Sequence, residues 1–237
     1  MRLMTVVAPV FGTNCYVLVA DDATCVIIDP GAGVATQVGT LVREHALVPQ
    51  AVLATHGHVD HTWDAAELTA ALDVPLLLHR ADAYRLADPF GTLGPLGSHG
   101  ADGPLAQALS SIGAGPGTYT VPARVEPFGG EPGPDGRTAD VLLELGGIRL
   151  VARHAPGHTQ GATLYLLAAE PPVAFTGDVL FAGSVGRTDL PGGDPARMAA
   201  TLAEVVAALP PETVVLPGHG PTSGMQAELA HNPYLAG

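Results

Sequence analysis

Three features of the sequence predict an α/β fold. Short apolar runs alternate with segments whose apolar residues recur at helical spacing. Glycine- and proline-rich turns punctuate them, with 30 Gly and 22 Pro in 237 residues. Several of the apolar runs end in loops carrying His or Asp, the place where α/β layers gather their function. Hydrophobic residues make up 47% of the chain, enough for one domain spanning 1–237 with a sizeable core.

The elements follow in order. Leu3–Ala8 reads as a short strand, and Asn14–Val19 as a second after a Gly-Thr turn. Cys25–Ile28 is a third, running into the tight turn Asp29-Pro30-Gly31. Val34, Val38, Leu41 and Val42 share one face of a helix over Val34–His45. Ala51–Ala54 is a short buried strand, followed by the polar run Thr55–His61 and a helix from about Thr62 to Leu72. Pro75–Leu78 is another strand, and Asp82 begins a short helix. Residues 88–138 break the pattern with DPFGTLGPLGSHGADGP, GAGPG and FGGEPGPDG, and only Leu105–Ile112 has helical character. This stretch reads as a loop-rich insertion, either a surface loop or a flap near the site. Val141–Leu145 and Ile148–Arg153 form a strand pair joined by Gly146-Gly147. Thr163–Leu167 and Val173–Phe175 are further strands. Asp194 caps a helix to about Leu209, with Pro195 at its first position. Thr213–Leu216 is the last strand, and Ser223 starts a terminal helix.

Composition narrows the function. Charged residues are 14% of the chain and the net charge is −13, which argues against nucleic acid or an anionic membrane as partner, since both need a basic face. A bound pair of divalent cations would offset part of that charge. No run approaches the ~20 apolar residues of a membrane span, and the start MRLMTVVAPVFGTN lacks the pattern of a signal peptide. A cytoplasmic location is expected, with Cys15 and Cys25 as buried thiols rather than a disulfide.

The chemistry concentrates in Thr55-His56-Gly57-His58-Val59-Asp60-His61. In an extended segment His56 and His58 point the same way because side chains alternate, and Asp60 and His61 come on the turn into the helix. One loop thus offers ligands to two neighbouring metals, imidazole suiting zinc or iron and carboxylate adding charge. His158 (in APGHT), Asp178 (in FTGD) and His219 (in LPGHGP) each follow a glycine near a strand end. Glycine lets backbone approach a metal closely and turn sharply. His45, His79 and His99 read as solvated or structural histidines, whereas His154 and His231 flank motifs and are candidates for outer support of the ligands.

THGHVDH, PGHT, TGD and PGHGP, in this order, with Asn14-Cys15-Tyr16 and Asp29-Pro30-Gly31 upstream, resemble the metallo-β-lactamase superfamily. The resemblance covers nearly the whole chain. It implies a four-layer αβ/βα sandwich with the site at one edge. It further implies that His56, His58 and His158 hold a first metal, that Asp60, His61 and His219 hold a second, and that Asp178 bridges them. Two divalent ions are expected, zinc by default with iron or manganese as alternatives. At a separation of ~3.5–4 Å two such ions can share a water and lower its pKa to about 7. Asp60 doubles as the catalytic residue that orients the nucleophile.

Within the superfamily, the true β-lactamases generally lack the full H-x-H-x-D-H pattern and often use a Cys ligand, and the RNA-processing branches carry extra domains. The local match is to the short, single-domain glyoxalase II-like branch, the hydroxyacylglutathione hydrolases. It rests on GDVLF at 177–181, GSVGRTDLPGGD at 183–194, PGHGP at 217–221 and HNPYL at 231–235. The implied reaction is hydrolysis of a small-molecule S-acyl thioester such as S-lactoylglutathione. The C-terminal helical extension of the longer enzymes is not expected here. Arg187 matches their basic, substrate-binding residue, but Asp189 stands where a Tyr would be, which leaves both glutathione and another low-molecular-weight thiol as candidate carriers. Arg187 also reads as a structural partner of Asp189 or Asp194. The alternative is a persulfide dioxygenase of the same fold, which GRTD at 186–189 also resembles. Such an enzyme uses one iron on two His and one Asp, drawn here from His56, His58, His158 and Asp178. The LPGGD continuation favours the hydrolase.

Overall fold

The computed structural model describes residues 1–97 and 104–235. Its first sheet contains β1 (Arg2–Val7), β2 (Asn14–Val19), β3 (Thr24–Ile28), β4 (Val48–Leu53), β5 (Leu76–His79) and β6 (Val125–Phe128), in that spatial order. β1 to β3 pair antiparallel and β3 to β6 parallel. The parallel half follows from two helices that return the chain, α1 (Ala35–Glu44) and α3 (Ala65–Leu72). The second sheet contains β7 (Val141–Leu145), β8 (Ile148–His154), β9 (Thr163–Leu167), β10 (Val173–Gly177), β13 (Val214–Pro217) and β14 (Ser223–Gly224), ordered β14-β13-β10-β9-β8-β7.

The layers follow from side-chain alternation. β2 is buried along its whole length because both of its faces are covered. Cys15, Val17 and Val19 join Val38, Val42 and Leu68 of the helices over the first sheet. Tyr16 and Leu18 point the other way, into a core shared with Leu150, Tyr165 and Phe175 of the second sheet. The outer face of the second sheet packs on α5 (Pro195–Thr201), a π-helical turn (Leu202–Val206) and α6 (Met225–His231). The result is the expected four-layer αβ/βα sandwich. Cys15 and Cys25 are free and buried. Among the described residues no helix is long and apolar enough to cross a membrane.

Several elements differ from expectation. The helix anticipated from Thr62 is two pieces, α2 (Val59–Thr62) and α3, so Asp60 and His61 lie inside a helical turn. Asp64, between them, accepts from the backbone N–H groups of Gly33 and Ala35 at 3.0 and 2.7 Å and so caps α1 from outside. The helix expected to run to Leu209 is α-helical only to Thr201 before the π turn. Two short strands, β11 (Leu180–Phe181) and β12 (Ser184–Val185), form a hairpin after the second sheet's β10.

The largest departure is the 88–138 stretch. Val125–Phe128 is a strand at the edge of the first sheet, where Pro127 is tolerated because only one side of the strand is paired. The helix expected at Leu105–Ile112 is α4 (Pro104–Ser110). Its Leu109 is buried with Val10, Ala32 and Val59 beneath Trp63, Phe90 and Tyr119. The helical part of the insertion is therefore packed onto the turn that carries Asp60, while residues 129–137 run as a largely exposed loop.

Candidate metal centre

The connections after β4, β8, β10 and β13 end at one edge of the two sheets. Backbone hydrogen bonds lash those ends together: Thr163 N–H to Thr55 O at 2.9 Å, Gly218 N–H to Gly177 O at 2.8 Å, and Asn14 N–H to Gly218 O at 2.8 Å. Gly218 is required here, since a Cβ at that position would collide with the Asp178 carboxylate and the His61 ring.

The seven residues singled out from the sequence meet at this edge. His158 Nε2 lies 3.2 Å from His56 Nε2 and 3.0 Å from His58 Nδ1, and the latter two atoms are 3.1 Å apart. Three ring nitrogens this close suit a common cation. The spacing is within a few tenths of an ångström of the ~3.3 Å edge of a tetrahedron built on zinc–nitrogen bonds of ~2.0–2.1 Å. The second trio is looser. His61 Nε2 and His219 Nε2 are 3.2 Å apart, and Asp60 Oδ2 is 3.7 and 3.3 Å from them. Asp178 lies between the trios, with Oδ1 3.3 Å from His61 Nε2 and Oδ2 3.6 Å from both His158 Nε2 and His219 Nε2. Its Oδ1 is buried and accepts no hydrogen bond, which is costly for a carboxylate oxygen unless a cation lies against it. Among the described residues, three donor groups able to hold an ion result: His56/His58/His158, His56/His61/Asp178 and Asp60/His61/His219.

The opposite ring nitrogens fix the rings. His61 Nδ1 faces Asp29 Oδ2 at 3.0 Å, His158 Nδ1–H donates to Arg187 O at 2.7 Å, and His219 Nδ1–H to Phe11 O at 3.1 Å. His56 Nδ1 sits 3.2 Å from the Thr55 hydroxyl, which itself donates to Asp29 Oδ2 at 2.7 Å. Each of these four histidines thereby directs Nε2 into the centre, the arrangement that outer partners impose on metal-binding imidazoles. The electrostatics agree. Burial, with the neighbouring His158, pushes His58 down to about 3, so its ring is neutral at ordinary pH and free to ligate. Burial likewise lowers His56. Burial would also lower His61, but the carboxylates of Asp178, Asp29 and Asp60 outweigh it and raise this group. Desolvation of the half-buried Asp60 and the buried Asp178 would alone raise them, yet the surrounding imidazoles hold both below the usual carboxylate range.

The centre opens on one side. The side chains of His61 and His158 are nearly inaccessible, whereas Asp60 and His219 are 21% and 27% exposed. Arg187 is held in a bidentate pair with Asp189 at 2.6 and 2.7 Å, both side chains largely exposed, while its backbone carbonyl supports His158. Of its two structural partners envisaged from sequence, Asp189 is the one it takes.

The remaining histidines sort themselves. His79 and His154 stack at 4.1 Å with a 9° interplanar angle. Thr138 links them through its hydroxyl and N–H, and His154 Nε2–H donates to Gln160 O. His154 thus touches the chain next to the ligand loop rather than a ligand, and His79 is structural as expected. His231 is exposed at the end of α6 and hydrogen-bonds none of the seven, so outer support from it is not found. His99 lies outside the described residues. Sequence reasoning missed Asp29 and Thr55 as orienters and the buried Asp82. The one signal for Asp29 was its place at a strand end before Pro-Gly.

Two donor trios on the loop edge of an αβ/βα sandwich define the class, a protein of this fold with a candidate metal-binding centre. The chain belongs to the metallo-β-lactamase superfamily, whose family model matches residues 8–219. An uncharacterized protein of Mycobacterium tuberculosis is 36% identical over 97% of this chain and 96% of its own. Probable metallo-hydrolase YqgX of Bacillus subtilis is 32% identical (94% and 92% covered), and hydroxyacylglutathione hydrolase GloC of Haemophilus influenzae 29% (99% and 98%). Among solved structures, the B3 metallo-β-lactamase BLEG-1 superimposes with a TM-score of 0.77 at 30% identity, covering 100% of both chains. The protein TTHA1623 in a di-iron-bound form gives 0.73 at 32%, covering 99% of this chain and 100% of the other.

Proposed function

We propose that this protein is a binuclear metal-dependent hydrolase of S-acyl thioesters, with hydroxyacyl-thiols such as S-lactoylglutathione as its substrate class. The observation that carries the reading is the placement of Asp178 between two complete donor trios. His56, His58 and His158 would hold one divalent ion and Asp60, His61 and His219 the other, with Asp178 shared; zinc is the default and iron or manganese the alternatives. When bound, such a pair supplies a water that ionises near neutral pH and a Lewis acid for the acyl oxygen. Asp60, at the open side, accepts a hydrogen bond from the attacking water and aims it. Arg187, beside the His158 loop, pairs with a carboxylate of the thiol carrier once it exchanges partners from Asp189. Water adds to the acyl carbon, the carbon–sulfur bond breaks, and the products are a carboxylic acid and a thiol.

The thioester assignment is supported by the full-length likeness to hydroxyacylglutathione hydrolase GloC. The likeness to di-iron TTHA1623 supports two ions and keeps iron in view. The free thiols of Cys15 and Cys25 support a cytoplasmic setting. The likeness to BLEG-1 favours a second reading, hydrolysis of a β-lactam amide at the same centre. The test is anaerobic incubation of metal-reconstituted protein with S-lactoylglutathione, followed by loss of thioester absorbance, with a chromogenic β-lactam in parallel. Thioester turnover that disappears in Asp178→Ala supports the proposal. Turnover of the β-lactam alone would replace it with the second reading.

A further inference from the structure

Asp82 and Arg85 are both wholly buried beside the centre, on the 3-10 turn that follows β5, and neither is a metal-ligand candidate. Asp82 Oδ2 accepts from Gly57 N–H at 2.9 Å, between His56 and His58, and from the Thr159 hydroxyl at 2.7 Å, next to His158. Its Oδ1 accepts from Gly161 N–H at 2.8 Å and from Arg85 Nε–H at 3.2 Å. One carboxylate therefore binds both loops that supply the first donor trio. Arg85 extends the junction: its Nη2 donates to Gln160 Oε1 at 3.0 Å and to Pro191 O at 2.8 Å, in the loop that follows Arg187.

Packing gives an independent sign of the same role. Three glycines from three loops press directly on this pair. A Cβ at Gly57 would lie 2.9 Å from Arg85 Cδ, and one at Gly161 would lie 2.8 Å from Asp82 Cβ. One at Gly192, whose φ is +85°, would run into the Arg85 guanidinium. No side chain fits between the loops and the pair. The second trio is held differently, by Asp29 behind His61 and by Phe11 O behind His219.

We propose that Asp82 and Arg85 form a positioning unit that sets the spacing of His56 and His58 against His158, and so governs metal affinity at the first trio and not at the second. The inference rests on the two-metal reading above. It is tested on the full chain by titrating metal-free protein with Zn²⁺ against a chromophoric chelator, which resolves each affinity. Wild type is expected to take two ions. Asp82→Asn, which leaves one oxygen to accept what two now accept, is expected to keep one tight site and weaken the other by roughly 10–100-fold, as loss of outer partners does. Thr159→Val is expected to move the same site by less, and Thr159→Ser to restore it. These two milder variants decide the matter if Asp82→Asn does not fold. Leu150→Ala, in the core between the sheets, is the control for general destabilisation and is expected to melt earlier while binding two ions normally. Two unchanged affinities in Asp82→Asn and Thr159→Val, or equal weakening of both sites, would overturn the proposal. A wild-type chain that binds no Zn²⁺ would overturn the two-metal reading beneath it, a separate and distinguishable result.

Discussion

His61 Nδ1 and Asp29 Oδ2 lie 3.0 Å apart, a buried contact between residues 32 positions apart in sequence. Asp29 also accepts from the Thr55 N–H and hydroxyl, both at 2.7 Å, and that hydroxyl faces His56 Nδ1. One carboxylate thus steadies a histidine from each donor trio. Asp29→Asn removes an acceptor while keeping the shape. Metal affinity is expected to fall by roughly 10–100-fold, read as a lower chelator concentration for stripping. Stripping at the wild-type concentration would refute this role.

Arg187 and Asp189 are expected to govern binding rather than folding. Their pair is exposed, with side chains 51% and 67% accessible, so neither Asp189→Asn nor Arg187→Gln should move the melting temperature appreciably. Asp189→Asn should lower KM for an anionic thioester by freeing the guanidinium, and Arg187→Gln should raise it, with kcat little changed in both. Equal KM values across the three proteins would remove Arg187 from substrate binding.

The stacked His79–His154 pair predicts a pH dependence. Burial, reinforced by the neighbouring His154, pushes His79 down to about 4, and burial also lowers His154. The unfolded chain takes up protons near the ordinary value of 6.5 while the folded protein does not. The stability is therefore present above 6.5, is lost as pH falls from there through about 4, and levels off below. For His79 the loss is on the order of 3 kcal/mol. Urea unfolding of wild type and His79→Phe at several pH values isolates this slope from that of the other histidines. A wild-type slope no steeper than the variant's would contradict it.

Leu109 tests whether the insertion belongs to the body of the protein. It is 1% exposed against Val10, Ala32 and Val59, so Leu109→Ala should cost ~2–5 kcal/mol, as truncation in a packed core does. A loss under about 0.5 kcal/mol, the range of surface substitutions, would return the segment to a loose flap.

The strand–helix alternation and the gathering of the candidate donors were legible because their signals are local, whereas the four-layer sandwich was implied by the family resemblance. β2 alternates between two cores, and His56 to His61 crowd four donors into one loop. What escaped is what depends on distant partners. Val125–Phe128, with Glu126 and Pro127 in its middle, has no strand signature of its own and is a strand because β5 offers a free edge. Asp29 and Asp82 looked like a turn residue and a helix start. Their roles come from Thr55, His61, Gly57 and Thr159, which only the folded chain brings to them. His231 shows the converse, since proximity to a motif in sequence did not bring it to the centre.

The central claim is that two metal ions occupy trios joined by Asp178, and metal counting in ligand variants tests it most directly. Protein reconstituted with excess zinc, freed of unbound metal and assayed by elemental analysis should hold two ions per chain. His158→Ala and His219→Ala should each hold one, and Asp178→Ala fewer than two with thioester turnover abolished. A single ion in the wild type that survives His219→Ala and is lost in His158→Ala would contradict the binuclear account and move the protein to a mononuclear centre on His56, His58 and His158.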